Sequence, residues 1–336
     1  MESLANTDSK SEKLGVKKRE PQNVNSPIDC LTCYRHGYRV RKQTFSTDTP
    51  YKTDDVEPKR LPSTLLATDI KVTGQPLDPT NMGRIIKPRE LVDIIELTPL
   101  NRSETILYNQ LLAHAWNDIK TKPVHKVLKA SLRGTHESND RLHDAFDRLM
   151  SAWAKIRARD PQTGEMATFR VHLLGTNKEE DKDDGYFYYT FPPDLLAVIS
   201  QSKAWATIKS HIMYALRSKY SIRLYEMVER RIGMVKQYEE FTVEEFRALL
   251  GVPEDKLDRY ADFNKHCLKP ALEEVNHLTD FEVSVLAIKK GRTVEKLALG
   301  WTKKSPKALQ RAYDEREKSR VGRQARKPDA DGGRGV

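Results

Sequence analysis

Asn264, Lys265 and Lys269 fall close together in the segment DRYADFNKHCLKPALEEVNHL. On the outer face of a helix, these residue types suit the edges of base pairs in a major groove. A carboxamide bonds adenine at two points and an ammonium donates to guanine acceptors, each good contact contributing roughly 1 to 3 kcal/mol of base discrimination. Arg259 and His266 beside them suit phosphate oxygens, which fix position without carrying sequence information. A plain solvated helix face is the alternative reading.

A second cluster, Lys289, Lys290 and Arg292, stands around Gly291 in KKGR, between the alternating runs FEVSVLAI and TVEKLALGW. At the tip of a hairpin these cations can straddle a phosphate or reach a minor groove, and otherwise they only keep a turn soluble. Arg141 and Arg148, on the polar side of an earlier helix, are auxiliary DNA-contact candidates weakened by the intervening Asp144. Arg223 lies on a half-buried helix, where an ion pair with Glu226 competes with DNA contact.

Other chemistry finds little support. There is no Gly-x4-Gly-Lys-Ser/Thr phosphate loop, and no histidine pair of the kind a tyrosine nickase uses to hold its metal. Tyr186, Tyr188 and Tyr189 alternate within an apolar strand, which points to packing rather than nucleophilic attack. Cys30, Cys33 and His36 have the shape of half a zinc site, without a second pair at useful spacing, and Cys267 reads as a core residue. The acidic run Glu179 to Asp184 fits a solvated loop better than a calcium site. Neither an enzyme nor a cofactor or metal is expected.

The elements that would position the two clusters repeat along the chain. The segment RSETILYNQLLAHAWNDI puts Leu107, Leu111 and Ala115 on one stripe, with Asn101 and Glu104 as a capping box. A shorter apolar segment, Val124 to Leu132, follows. SNDRLHDAFDRLMSAW then sets Leu142, Ala145, Phe146, Leu149, Met150 and Trp153 at helical spacing. MATFRVHLL and GYFYYTF, separated by GTNKEEDKDDG, read as a hairpin with a long acidic loop, and PPDLLAVISQS closes the unit.

The second copy is better marked. SKYSIRLYEMVERRI is its first helix, with Glu226 placed to support Arg230. In FTVEEFRALLG, Thr242 and Glu245 form a capping box, Phe241 and Phe246 a hydrophobic staple, and Gly251 a stop. The third helix runs from about Asp258 to Leu278, with a kink or a new start at Pro270. Three helices and a hairpin, twice, predict an α+β chain of two tandem winged-helix domains, each a three-helix bundle plus a β-hairpin. The expected bounds are a disordered arm over 1–62, a linker over 63–87, domain 1 over 88–205, domain 2 over 206–302 and a basic tail over 303–336.

Composition agrees with that reading. The chain has 336 residues, a formal charge of +10 and 38% hydrophobic residues, with a pI near 9.3. Excess cations favour a polyanionic partner, because they replace counterions condensed on phosphates. Residues 303–336 hold 11 Lys or Arg against 5 Asp or Glu, so the tail either adds phosphate affinity or is simply solvated. No apolar run approaches the roughly 18 residues of a membrane span, and MESLANTDSKSEK lacks the apolar core of a secretory signal. A cytoplasmic protein is expected.

SKYSIRLYEMV and DFNKHCLKPALEEVNHLTDFEVSVLAIKKGRTVEKLALGW resemble the iteron-binding plasmid replication initiators, the Rep family with two winged-helix domains. RELVDIIELTPLNRSETILYNQLL, SNDRLHDAFDRLMSAW and GYFYYTFPPDLL are similar to that family's first domain. The likeness covers roughly residues 88 to 302. Members often carry two or three arginines where this chain has Asn264, Lys265 and His266, which implies a different base preference. The resemblance implies binding to double-stranded DNA at repeats in a plasmid origin and melting of an adjacent AT-rich segment. It also implies recruitment of host DnaA and the replicative helicase, and a dimer through domain 1 that represses its own gene.

Overall fold

The computed structural model describes residues 83–132, 139–182, 185–319, 321 and 323. The expected arm, with Cys30, Cys33 and His36, and the linker up to residue 82 lie outside the described residues. Residues 84–87, read as the end of that linker, form most of strand β1 (Arg84–Pro88). Its register against Trp205–Lys209 is antiparallel throughout, so the first described strand is laced to the start of the second half of the chain.

Domain 1 continues with α1 (Arg89–Val92), β2 (Ile95–Glu96) and α2 (Arg102–Ala115). The α2 start is the expected capping box: Glu104 N donates to Asn101 Oδ1 at 3.0 Å and Asn101 N donates to Glu104 Oε2 at 2.7 Å. The apolar segment after it divides into β3 (His125–Leu128) and α3 (Lys129–Leu132), followed by α4 (Asn139–Met150). Leu107, Leu111, Leu142, Phe146 and Leu149 close the core of this domain.

The expected hairpin of this domain is corrected. The partner of β5 (Met166–His172) is β4 (Trp153–Arg159), a strand of which the sequence reading took only Trp153, as the end of helix α4, and left the rest unassigned. GYFYYTF supplies β7 (Tyr186–Tyr189), which pairs instead with β3 and with β6 (Asn177–Glu179). Ala154, Ile156 and Ala158 of β4 alternate inward, and two of those three are alanines, too small to signal a strand strongly. The patch after β7 is helix α5 (Pro193–Ser200), opened by a proline whose missing amide hydrogen costs nothing at a first turn.

β8 (Trp205–Lys209) and α6 (Ser210–Ala215) lead into domain 2, built from α7 (Lys219–Arg231), β9 (Tyr238–Thr242), α8 (Val243–Leu249), α9 (Tyr260–Phe263), α10 (Lys269–Leu278), β10 (Phe281–Lys290) and β11 (Thr293–Lys303). The sheet order is β10-β11-β9. At α8, Glu245 N donates to Thr242 Oγ1 at 3.1 Å and Thr242 N to Glu245 Oε2 at 3.0 Å, while the Phe241 and Phe246 rings meet edge-on at 5.5 Å. Gly251 ends the helix with φ 72°, the left-handed conformation that a Cβ disfavours. Leu224, Phe246, Phe263, Val275, Leu297 and Trp301 form the core.

Two further findings modify the expectations. The basic tail is helical at its start: α11 (Pro306–Glu317) has Ser305 as N-cap. Glu226 does not support Arg230; it is fully buried and binds Lys87 across the seam between the domains.

That seam is polar. Lys87 Nζ lies 2.8 Å from Glu226 Oε2 and donates to Asn109 Oδ1 at 3.0 Å, and Asn109 Nδ2 donates to Glu226 Oε1 at 2.6 Å. Burial pulls the Lys87 ammonium below its ordinary range, against the opposing attraction of Glu226. Further out, Arg230 and Arg231 each reach Asp93 at 3.1 Å, and Arg102 donates to the carbonyls of Leu216 at 2.7 Å and Tyr214 at 3.0 Å. Such groups are satisfied in one geometry only, so the seam specifies how the winged helices meet. Removing one partner would strand the others.

Candidate nucleic-acid interface

The third helix of domain 2 is not regular. Between α9 and α10, Asn264–Leu268 forms a π-helical turn, in which Lys269 N donates to Asn264 O. The cause is legible in the chain. Pro270 has no amide hydrogen, and its ring crowds the carbonyl one turn earlier, which a wider turn relieves. The buried residues Phe263, Cys267, Ala271 and Val275 also recur every fourth position. At 3.6 residues per turn, each step of four drifts by about 40°, and a wide turn takes up that drift.

The π turn and the first residue of α10 hold the predicted reading residues. Lys265, His266 and Lys269 are exposed, make no ion pair among the described residues, and share a surface with the half-buried Asn264. Arg259 is exposed as well, but its Nε lies 2.7 Å from Asp262 Oδ2, so it meets a phosphate only by exchanging that partner. Cys267 is buried, and burial pushes its thiol up to about 12.

The hairpin stands beside this helix because Asn276 bonds both ways to one residue of β10: Asn276 Nδ2 donates to Val283 O at 2.8 Å and Val283 N to Asn276 Oδ1 at 2.6 Å. At the other end, the strands run further than expected. KKGR is not a four-residue tip, since Lys290 pairs with Thr293 and only Gly291 and Arg292 form the turn. Gly291, at the first central position with φ 64°, is where a type II′ turn needs glycine. Lys289, Lys290 and Arg292 are all exposed at this end, and among the described residues only Lys290 has an acidic neighbour, Glu295 at 3.9 Å.

The other candidates divide. Arg223 is buried, donating to Ile94 O at 2.7 Å and Leu249 O at 3.2 Å, and it lies 3.5 Å from Glu226; its role is structural. Arg148 reaches the buried Glu104 with Nε 2.5 Å from Oε1, so this auxiliary candidate is already tied into the α2 cap. Arg141 is exposed on α4. Tyr189 donates to Leu111 O at 2.7 Å and Tyr188 to Glu180 Oε1 at 2.8 Å, which accounts for both hydroxyls as packing contacts. Glu179, in the acidic run, lies 2.5 Å from Lys129 and 2.8 Å from His143.

Sequence reasoning missed the residues that anchor the end of α10. Lys304 Nζ donates to Asn276 O at 2.5 Å and Thr279 O at 2.7 Å, and Arg316 of α11 donates to Leu278 O at 2.6 Å. Cations at the free carbonyls of a helix C-terminus complement its dipole, and burial lowers the Lys304 ammonium to about 8. Lys304, just after the expected hairpin, was the available signal.

Among the described residues, no helix is long and apolar enough to cross a membrane. No curated protein matches the chain. Among solved structures it is similar to the Pi initiator protein in complex with iteron DNA, at 17% identity over 66% of this chain and 98% of that one, with a TM-score of 0.47. Residues 85–229 match the family described as initiator replication protein, WH1, and residues 242–301 match initiator Rep protein, WH2. With a winged helix in each matched half, the chain belongs to the initiator replication (Rep) protein family.

Proposed function

We propose that this protein initiates plasmid replication by binding repeated sequences, iterons, in the origin as duplex DNA. One observation carries the reading: in a Rep-family WH2 domain, the exposed Lys265, His266 and Lys269 have no acidic partner among the described residues, and they stand beside a hairpin that ends in Lys289, Lys290 and Arg292. In this proposal Asn264, Lys265 and Lys269 read bases, whereas Arg259, His266 and the hairpin cations hold phosphates. Arg141 adds a contact from domain 1. Local melting, recruitment of host DnaA and the replicative helicase, and repression of its own gene as a dimer through domain 1 complete the role. No step of it requires catalysis by this chain.

The test is replication in trans. A plasmid that carries the candidate origin but lacks this gene should fail to replicate until the protein is supplied from elsewhere. Replication without the protein would leave a DNA-binding repressor and remove the initiator role.

A further inference from the structure

The segment matched as WH2 ends at Trp301, and beyond it the chain turns back onto the third helix of domain 2. Ser305 caps α11, with Ala308 N donating to its Oγ at 3.4 Å, and Pro306 opens the helix. α11 packs against the C-terminal half of that third helix, α10, with Ala312 and Glu315 as its buried residues. The polar contacts are specific. Arg316 Nη1 donates to Leu278 O at 2.6 Å and to Asp280 Oδ1 at 3.2 Å, while Lys304 holds the carbonyls of Asn276 and Thr279. Glu315 Oε1 lies 3.6 Å from His277 Nε2 and 3.9 Å from Arg323 Nε.

The same segment reaches the connector between the domains. Arg323, buried beyond the end of α11, donates from Nη1 to Ala215 O at 3.0 Å. The carbonyls on either side, Tyr214 O and Leu216 O, accept from Arg102 of domain 1. The next amide, Arg217 N, donates to Glu274 Oε1 of α10 at 3.0 Å. The run Tyr214–Arg217 is therefore gripped at once by domain 1, by the C-terminal segment and by the third helix. Asp280 makes a second link, since it also pairs with Lys209 of β8, the strand laced to β1.

A helix end with unbonded carbonyls is where a helix frays. At α10 those carbonyls are bonded by cations from beyond the winged helix, and buried charged donors of this kind are satisfied in one arrangement only. The side chains of Arg316 and Arg323 are 9% and 4% exposed, so neither is placed to hold a phosphate. What they can fix is direction. From Leu278 back to Asn264 the helix runs about 20 Å. A pivot of about 10° at the pinned end would displace the other by about 3.5 Å, more than a hydrogen bond to a base edge tolerates. Long side chains on phosphates can follow such a displacement.

We infer that α11 with Arg323 is a clasp that positions the third helix of domain 2. It pins the C-terminal end of α10 to the connector that domain 1 grips, so that Asn264, Lys265 and Lys269 keep one bearing on the duplex. The inference rests on the DNA-binding reading above, and Arg316 and Arg323 enter it as positioning residues that touch no DNA.

The experiment compares the full chain with its R316A/R323A variant on two duplexes of equal length. One comes from DNA flanking the gene that the protein protects in a footprint, and the other has random sequence. The variant should lose about 10-fold in affinity for the protected duplex and less than about 2-fold for the random one, with the salt slope unchanged on both. R316K/R323K should restore most of the preference, because an ammonium can replace the Arg316 Nη1 that makes both bonds. A slope lower by about 1 to 2 units would make the segment a phosphate holder and overturn the inference. So would an unchanged ratio between the duplexes, or an equal loss on both. Without DNA, amide hydrogen exchange followed by mass spectrometry should rise about 10-fold or more over 210–217 and 269–280, and stay as it was over α2 and α4. No rise there, or the same rise everywhere, would also overturn it. If the unchanged protein protects none of the flanking DNA, the DNA-binding reading fails by itself, and the exchange measurement still decides the clasp.

Discussion

The two winged helices put their free cations in different places. In domain 2 the exposed Lys265, His266 and Lys269 lie on the third helix, and Lys289, Lys290 and Arg292 stand at the far end of a hairpin whose strands span 10 and 11 residues. In domain 1 the equivalent helix α4 ties Arg148 to Glu104, the hairpin turn carries Asp160 and Glu165, and the cations spread along the strand face. One domain gathers its cations on a helix face and at a hairpin tip. The other spreads its cations along a flat strand face.

The largest effect should come from the seam that keeps these two surfaces in register. Lys87→Ala leaves Glu226 and Asn109 buried without their partner and should cost about 3 to 5 kcal/mol in denaturant unfolding. A loss under about 1 kcal/mol would mean that the domains are held by their apolar contacts alone.

A second change sharpens the comparison at α7. Burial raises Glu229 to about 7 from an ordinary value of 4.5. Because its folded value is raised, its contribution to stability is fully present below pH 4.5 and is lost as pH rises through about 7. Glu229→Gln should therefore stabilise the protein at pH 8 by about 1 to 3 kcal/mol, with the gain vanishing near pH 4. A gain independent of pH would point to packing instead of ionisation.

At the reading helix, Lys265→Ala should weaken binding to the specific repeat by about 1 to 3 kcal/mol, and random duplex much less. Equal losses on both would move Lys265 to the phosphate-holding group. Lys289→Ala should lower affinity for all duplexes alike and reduce the salt slope by about 1 unit. The smallest change is expected in domain 1. Arg148→Ala, at a half-exposed ion pair, should cost less than about 1 kcal/mol of stability and leave the salt slope unchanged; a lowered slope would return Arg148 to the DNA contacts.

Domain 2 was readable from sequence because its local signals are chemically specific. Thr242 with Glu245, Phe241 with Phe246 and Gly251 each mark one position on a helix end, and all three occur as expected. In domain 1 the strand β4 was hidden by Ala154 and Ala158, which bury as fully as larger residues but contribute little to a hydrophobic pattern. With most of β4 left unassigned, β5 was given the wrong partner. The seam was invisible for a different reason. Lys87 and Glu226 are 139 residues apart, and no periodicity links a lysine in one strand with a glutamate in a distant helix. At the candidate site, Asn264, Lys265, His266 and Lys269 were singled out by type and spacing, whereas the wide turn there shows only in the four-residue recurrence of Phe263, Cys267, Ala271 and Val275.

That wide turn makes Asn264–Leu268 one residue longer than a regular helix would need between the same two anchors. The surplus is accommodated without moving Phe263 or Ala271 out of the core. A segment that tolerates an extra residue on its solvent side is free to vary its outward side chains, in kind and in number, while the inward ones stay in register. On the proposed DNA-binding reading, the contact set of this helix can therefore drift to follow a changing target sequence without refolding the domain that carries it.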